Sequence, residues 1–205
     1  MIWYEEEVKR IEQEKNKLSY QPKTIFYGSS SIRLWKDLYK DFEDFYPVNL
    51  GFGGSTLAAC VWYFDRIIRG YEPDHLIVYA GDNDLGDGRN PEEVFIFFQQ
   101  LLANIQRSFP DIAVTFISVK PSIARRNLKN QICYTNQLIR KYIEKSNRDY
   151  YFLNVYDKMV DPSGNPIGDL YDRDGLHMSS KGYALWKDLL LTHISSKVES
   201  GLIQV

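Results

Sequence analysis

The chain has 205 residues, 44% apolar and 25% charged, a globular composition without low-complexity segments and long enough for one sizeable core. A formal net charge of -2 gives no electrostatic case for nucleic acid or an anionic membrane as partner. No apolar run approaches the roughly 20 residues that span a bilayer. The acidic start Met1–Glu7 is unlike a secretory signal, and Cys60 and Cys133 have no metal-type spacing, so a cytoplasmic protein with buried free thiols is expected.

In chain order, residues 2–18 predict an amphipathic helix carrying Trp3, Val8, Ile11, Lys15 and Leu18, stopped by Gln21-Pro22. A single domain spanning 1–205 is expected, with that helix in 1–22 and the core in 23–200. Thr24–Gly28 reads as the first strand. Three hydroxyls, Ser29-Ser30-Ser31, follow at once, and a helix is predicted over 31–40. A second strand over 45–50 runs into Gly51-Phe52-Gly53-Gly54-Ser55-Thr56, too rich in glycine for a regular element.

A helix over 57–70 ends at Gly70 and Pro73. His75–Ala80 is the clearest buried strand, broken by Gly81-Asp82-Asn83-Asp84. Asn90, Pro91 and Glu93 mark the next helix start by capping residue, first-turn proline and a capping-box pattern. Its apolar face holds Val94, Phe97, Phe98, Leu101, Leu102 and Ile105. The strand 113–119 stops at Lys120-Pro121-Ser122, and a helix of about twenty residues follows with Leu128, Ile132, Leu138, Ile139, Tyr142 and Ile143. A fifth strand covers 150–155. After an irregular, Asp- and Gly-rich stretch over 156–180, a last helix starts near Ser180.

Strands alternating with helices of this length predict a three-layer α/β/α sandwich. Its five-stranded parallel sheet has the flavodoxin-like order 2-1-3-4-5, with helices on both faces. Ligands of such sheets lie beyond the strands' carboxyl ends. Four polar or glycine-rich breaks fall there: Gly28–Ser31, Gly51–Thr56, Gly81–Asp84 and Lys120–Ser122.

A hydroxyl after Gly28 is either a nucleophile beside its own charge stabiliser or a helix cap. A serine nucleophile needs a base, and histidine is the usual one. Of the three histidines, His75 starts a strand at the wrong end of the sheet, and His193 lies on the apolar side of the last helix. His177 lies in a loop that can return over the carboxyl edge. In Asp174-Gly175-Leu176-His177 one tight turn can present a carboxylate to one ring nitrogen and leave the other facing a serine; a capping aspartate beside a surface histidine would leave the same pattern. Asn83 is a turn former or an oxyanion donor, and Gly54 can offer an unobstructed backbone N–H.

Taken together, these residues resemble the SGNH (GDSL-type) hydrolase family, in a bacterial subgroup with Gly-Ser-Ser-Ser in its first block. Gly28-Ser29-Ser30-Ser31 aligns Ser30 as nucleophile, and Asn49–Gly54 aligns Gly54 as the oxyanion glycine. Gly81–Asp84 aligns Asn83 as oxyanion donor, and Asp174–His177 supplies the remaining triad members. Val119–Ser122 and Gly182–Trp186 extend the likeness over most of residues 24 to 190. Ser29 stands where the family usually has aspartate.

The resemblance implies an esterase or lipase-like enzyme acting on a small-molecule carboxylic ester or thioester. Ser30, Asp174 and His177 would form the triad, and Ser30, Gly54 and Asn83 the oxyanion hole, with no metal and no cofactor. Ser29, Phe52, Pro121 and Arg125 are candidates for the substrate pocket, with Trp35, Phe52 and Tyr79 either walling it or belonging to the core. The cations of the 120–126 loop either meet an anionic substrate or are solvated charges. A carbohydrate O-acetylesterase or acyltransferase variant of the site fits as well. Rival readings are a flavin- or phosphate-binding module on the same architecture, a metal site on Asp172, Asp174 and His177, and a non-catalytic binding protein. The aromatic content of 15% is compatible with a homo-oligomer.

Overall fold

The computed structural model describes residues 1–199, with side chains through residue 197. Ser200, where the expected core ends, and the residues to Val205 lie outside the described residues. Five parallel strands form one sheet: β1 (Thr24–Gly28), β2 (Pro47–Gly51), β3 (His75–Tyr79), β4 (Ala113–Ile117) and β5 (Tyr150–Leu153). Their order is β2-β1-β3-β4-β5, as predicted. The registers align Gly28 with Gly51 and Tyr79, so the glycine-rich breaks emerge together at one edge.

Alternation along the strands feeds two cores. Ile25, Tyr27, Leu76, Val78, Val114 and Phe116 face one, covered by α1 (Glu5–Lys15), α4 (Leu57–Ile68), α6 (Pro91–Ser108) and α7 (Lys129–Glu144). Phe26, Ile77, Tyr79 and Ile117 face the other, covered by α2 (Ser30–Arg33), α3 (Leu38–Asp41) and α8 (Ser180–Glu199). The capping box at Asn90 and Glu93 is present.

Several boundaries differ from expectation. The helix predicted over 31–40 is two short helices, α2 and α3, because Trp35 turns inward against Phe26, Phe42 and Trp186. Asn49 Nδ2 also takes the Ile32 carbonyl, at 2.8 Å. The second strand begins only at Pro47, since Tyr46 is left-handed with φ 45°. The strands predicted to reach Ala80, Val119 and Val155 end earlier, and the break after β3 is itself helical as α5 (Asp82–Gly86). Trp3 is 73% exposed rather than on the buried face. Cys60 is buried but Cys133 is exposed. The buried stripe of α7 runs Ile132, Thr135, Asn136, Ile139, Ile143, and residue 133 is off that period.

The outer edge of β2 is closed by side chains. The Tyr20 hydroxyl donates to the Pro47 carbonyl, Arg10 donates to the Gly51 carbonyl at 3.0 Å, and the Tyr39 hydroxyl accepts from Asn49 N–H at 3.3 Å.

Candidate functional site

The site is built where β1 stops. Gly28 has φ +138°, and a Cβ there would lie 1.8 Å from the Tyr79 carbonyl oxygen. Only glycine lets β1 and β3 approach so closely and then turn. Ser29 N–H donates to that carbonyl at 2.9 Å. Ser30 then opens α2, where its N–H has no intrahelical partner. Of the three adjacent hydroxyl residues, Ser29 and Ser31 are 0% and 2% exposed, while Ser30 is half-buried and reachable.

His177 reaches Ser30 from a turn closed by Gly175 N–H donating to the Asp172 carbonyl at 2.9 Å, with Gly175 at φ +65°. Its Nε2 is 3.2 Å from Ser30 Oγ and its Nδ1 is 2.6 Å from Asp174 Oδ2. Asp174 Oδ1 accepts from the backbone N–H groups of Leu176 and His177, each at 2.9 Å. The Leu176 N–H leads in holding the Asp174 carboxyl down at about 2, helped by His177 and opposed by partial burial. A carboxylate there makes Nδ1 the donor and leaves Nε2 as acceptor for the Ser30 hydroxyl. These three contacts of Asp174 all lie inside its own turn. Among the described residues no three of His, Cys, Asp and Glu are grouped as metal ligands.

Gly54 has φ +67°, and a Cβ there would meet no protein atom. Its loop is held from both sides. Phe52 N–H and Ser55 Oγ each donate to the Gly28 carbonyl at 3.0 Å. From the N-terminal segment, the Tyr4 hydroxyl donates to the Gly54 carbonyl at 3.0 Å, and Glu7 accepts from Gly53 N–H at 3.2 Å. The N-terminal helix therefore braces the site, a role its sequence pattern did not suggest.

Asn83 lies on α5, with Nδ2 donating to the Ser55 carbonyl at 3.0 Å and Oδ1 accepting from Arg125 Nη2 at 2.9 Å. Beside it, Asp82 is buried and lies 3.3 Å from Arg125 and 3.8 Å from Lys120. Lys120 is itself 1% exposed and donates to the Leu176 carbonyl at 2.7 Å, tying the His177 turn to the sheet. Burial lowers its ammonium pKa, with Asp82 opposing. Asn136 pins the backbone before it, pairing with both the N–H and the carbonyl of Val119 at 2.8 and 2.9 Å. Asp82 and Asn136 were missed as site residues, and Lys120, expected as a loop cation facing substrate or solvent, is instead a buried tie. A lysine closing an apolar strand and an aspartate beside the candidate asparagine were the available signals.

The expected pocket residues need correction. Ser29 and Phe52 are 0% exposed, so their side chains offer no surface to a solute. Pro121 is buried but for one wall of a small cavity of about 50 Å³ that it shares with Arg125 and that Ser30, Asp174 and His177 do not line. Phe52 packs among Tyr4, Tyr27 and Tyr63, and Trp35 and Tyr79 are likewise core. Arg125 alone reaches the site, and it is engaged by Asn83 and Asp82 rather than freely solvated. His75 and His193 share the Thr115 hydroxyl at 2.9 and 3.2 Å, on the other end of the sheet. A groove of about 1110 Å³ also lies at that amino end, lined by Lys23, Tyr71, Asp74 and Asp111 among others, and by none of Ser30, Asp174 and His177.

Asp84 links the loops from beneath: fully buried, it accepts from Leu57 N–H at 2.7 Å at the start of α4. Burial pushes its carboxyl up to about 6. With an unfolded value of about 4, the folded state binds the extra proton between these limits, so this group's contribution to stability falls as pH rises from about 4 to about 6. Asp84→Asn removes that slope. The Tm difference between variant and wild type is expected to shift in the variant's favour across this window and level off above it. A constant difference across the window would contradict the assignment.

The chain matches the model of the GDSL-like Lipase/Acylhydrolase family over residues 24–185. Comparison with curated proteins gives no match. Among solved structures, a GDSL-like lipase from Bacteroides thetaiotaomicron is 23% identical, covering 92% of this chain and 97% of its own, with a TM-score of 0.76. A Streptococcus pneumonia protein provisionally described as a platelet activating factor is 22% identical over 93% of this chain and 94% of its own, at TM-score 0.81. A provisionally assigned acylhydrolase from Bacteroides fragilis is 19% identical over 90% and 94%, at TM-score 0.78. At these identities the neighbours establish the shared fold, and the family follows from the match over most of the sequence. The chain belongs to the GDSL-like lipase/acylhydrolase family.

Proposed function

We propose that the protein is a serine hydrolase that cleaves carboxylic esters or thioesters through an acyl-enzyme on Ser30. The observation that carries this reading is the chain from Asp174 through His177 to Ser30, at 2.6 and 3.2 Å. It ends on the one hydroxyl of three that solvent reaches. Ser30 Oγ attacks the carbonyl carbon while His177 Nε2 takes its proton and Asp174 stabilises the resulting imidazolium. The N–H groups of Ser30 and Gly54 and the Asn83 carboxamide receive the oxyanion. Collapse expels the alcohol or thiol, which takes the proton from Nε2. Water then attacks the acyl carbon, gives its proton to Nε2, and the returning proton restores Ser30.

Burial of Phe52, Trp35 and Tyr79 removes the residues that would have walled a long acyl slot. A short acyl group is therefore the favoured substrate, and turnover of p-nitrophenyl esters should fall from acetyl to octanoyl.

A serine-directed fluorophosphonate should abolish hydrolysis and label Ser30, as read by peptide mass spectrometry. Label on another residue, or activity that outlasts labelling, would overturn the assignment. A protein that resisted the phosphonate and carried bound flavin would favour the flavin-binding alternative. Asn83→Ala should lower turnover by roughly 10²–10³, the usual cost of one oxyanion donor, as measured by kcat on the acetyl ester.

A further inference from the structure

We infer that Arg125 is a positioning residue that fixes the Asn83 carboxamide in its donor-outward orientation, an inference that rests on the hydrolase reading above. Arg125 Nη2 donates to Asn83 Oδ1 at 2.9 Å, and its Nη1 donates to the Asp82 carbonyl at 2.7 Å and lies 3.3 Å from Asp82 Oδ2. On its other side the carboxamide donates through Nδ2 to the Ser55 carbonyl at 3.0 Å.

These two partners admit one amide orientation. A flip would set N–H against the guanidinium and oxygen against the Ser55 carbonyl, losing both bonds. Nδ2 carries two hydrogens, and Ser55 takes one, leaving the second for an acceptor outside the protein. The cation on Oδ1 also polarises the amide, which strengthens that remaining N–H as a donor. Without Arg125, a flipped carboxamide would turn its oxygen toward the developing oxyanion.

The guanidinium has a place prepared for it. A Cβ on Gly86 would lie 2.8 Å from Arg125 Cζ, Nε and Nη2, so glycine at that point of α5 leaves room for the side chain to lie across the helix. Asp82, 5% exposed, supplies the compensating charge. Lys120 contacts the same carboxylate and the Leu176 carbonyl, so one buried charge cluster braces both the Asn83 helix and the His177 turn.

The test is steady-state kinetics on the neutral ester p-nitrophenyl acetate with Arg125→Met, Asn83→Ala, their double variant, Arg125→Lys and Gly86→Ala. Arg125→Met is expected to lower kcat by roughly 10–10², bounded by the loss of the donor itself, with KM within about twofold. Because Arg125 acts through Asn83, the double variant should be no slower than Asn83→Ala alone. Arg125→Lys should recover part of the loss. Gly86→Ala keeps the charge and favours the helix, yet crowds the guanidinium off Asn83, so it should lower kcat while Tm holds. Losses that multiply in the double variant, or an Arg125→Met effect confined to KM, would overturn the inference and make Arg125 a substrate contact. Wild-type kcat in both Arg125→Met and Gly86→Ala would overturn it as well. Should Ser30→Ala keep hydrolysing the ester, the hydrolase reading fails and this inference with it. Loss in Ser30→Ala and Asn83→Ala alone would sink only the role of Arg125.

Discussion

Ser30→Ala is expected to reduce turnover of a short p-nitrophenyl ester by on the order of 10⁶, because members of such a triad act as a unit. Ser29→Ala and Ser31→Ala should stay within roughly tenfold of wild type, since the loss follows the hydroxyl that is activated. Neither of their side chains reaches solvent, whereas Ser30 Oγ lies 3.2 Å from His177 Nε2. The measurement is kcat for all three variants beside circular dichroism to confirm folding. Loss of turnover in Ser29→Ala or Ser31→Ala with Ser30→Ala intact would reassign the nucleophile. Retention in all three would remove the acyl-enzyme mechanism.

Asp174→Asn is expected to cost about 10⁴ in kcat, the scale seen when a triad aspartate loses its charge but not its shape. The local bonding dictates how. Asp174 Oδ1 accepts two backbone N–H groups, from Leu176 and His177, and an asparagine keeps its oxygen there. Its NH₂ group must then face His177 Nδ1, which becomes an acceptor and forces the proton onto Nε2. Nε2 would donate toward Ser30 instead of accepting from it, and general-base catalysis stops. Turnover within tenfold of wild type would show that the carboxylate does not set the tautomer. The Asp174 carboxyl, held at about 2 in the folded state, lies below its unfolded value of about 4. Its stabilising contribution is complete above the unfolded value and disappears as pH falls through the folded one. A fall in turnover between pH 5 and 7 therefore would not report Asp174.

The sheet was legible in the sequence because each strand is a short apolar run ended by glycine or a charged break, and parallel βα units restrict the order to few choices. The contacts from Asp174 through His177 to Ser30 were legible because the residue types are rare here: three histidines, of which one lies in a loop near the right edge. Boundaries were less legible where tertiary packing overrode the local pattern. Trp35 breaks the predicted helix by turning into the core, and Asp82–Gly86 folds as a helical turn where composition suggested a loop. The pocket residues were misplaced for a related reason. Phe52 and Ser29 neighbour the site in sequence, but sequence adjacency does not say which side of the backbone faces solvent. Lys120 was legible as a cation of the loop, but its burial was not, because a lysine ordinarily avoids burial and nothing local announces that Asp82 and the Leu176 carbonyl will be there to receive it.

The closed outer edge of β2 limits how copies of this chain can meet. A parallel sheet of five strands has two open rims, and an unprotected rim invites another chain's strand to extend the ladder. At β2 the Pro47 and Gly51 carbonyls and the Asn49 N–H are already occupied by Tyr20, Arg10 and Tyr39. A visiting strand would have to displace three side-chain bonds before making its first one. Continuous-sheet dimers and cross-β growth through this rim are thereby disfavoured, and self-association would have to proceed through helical faces or the β5 side instead.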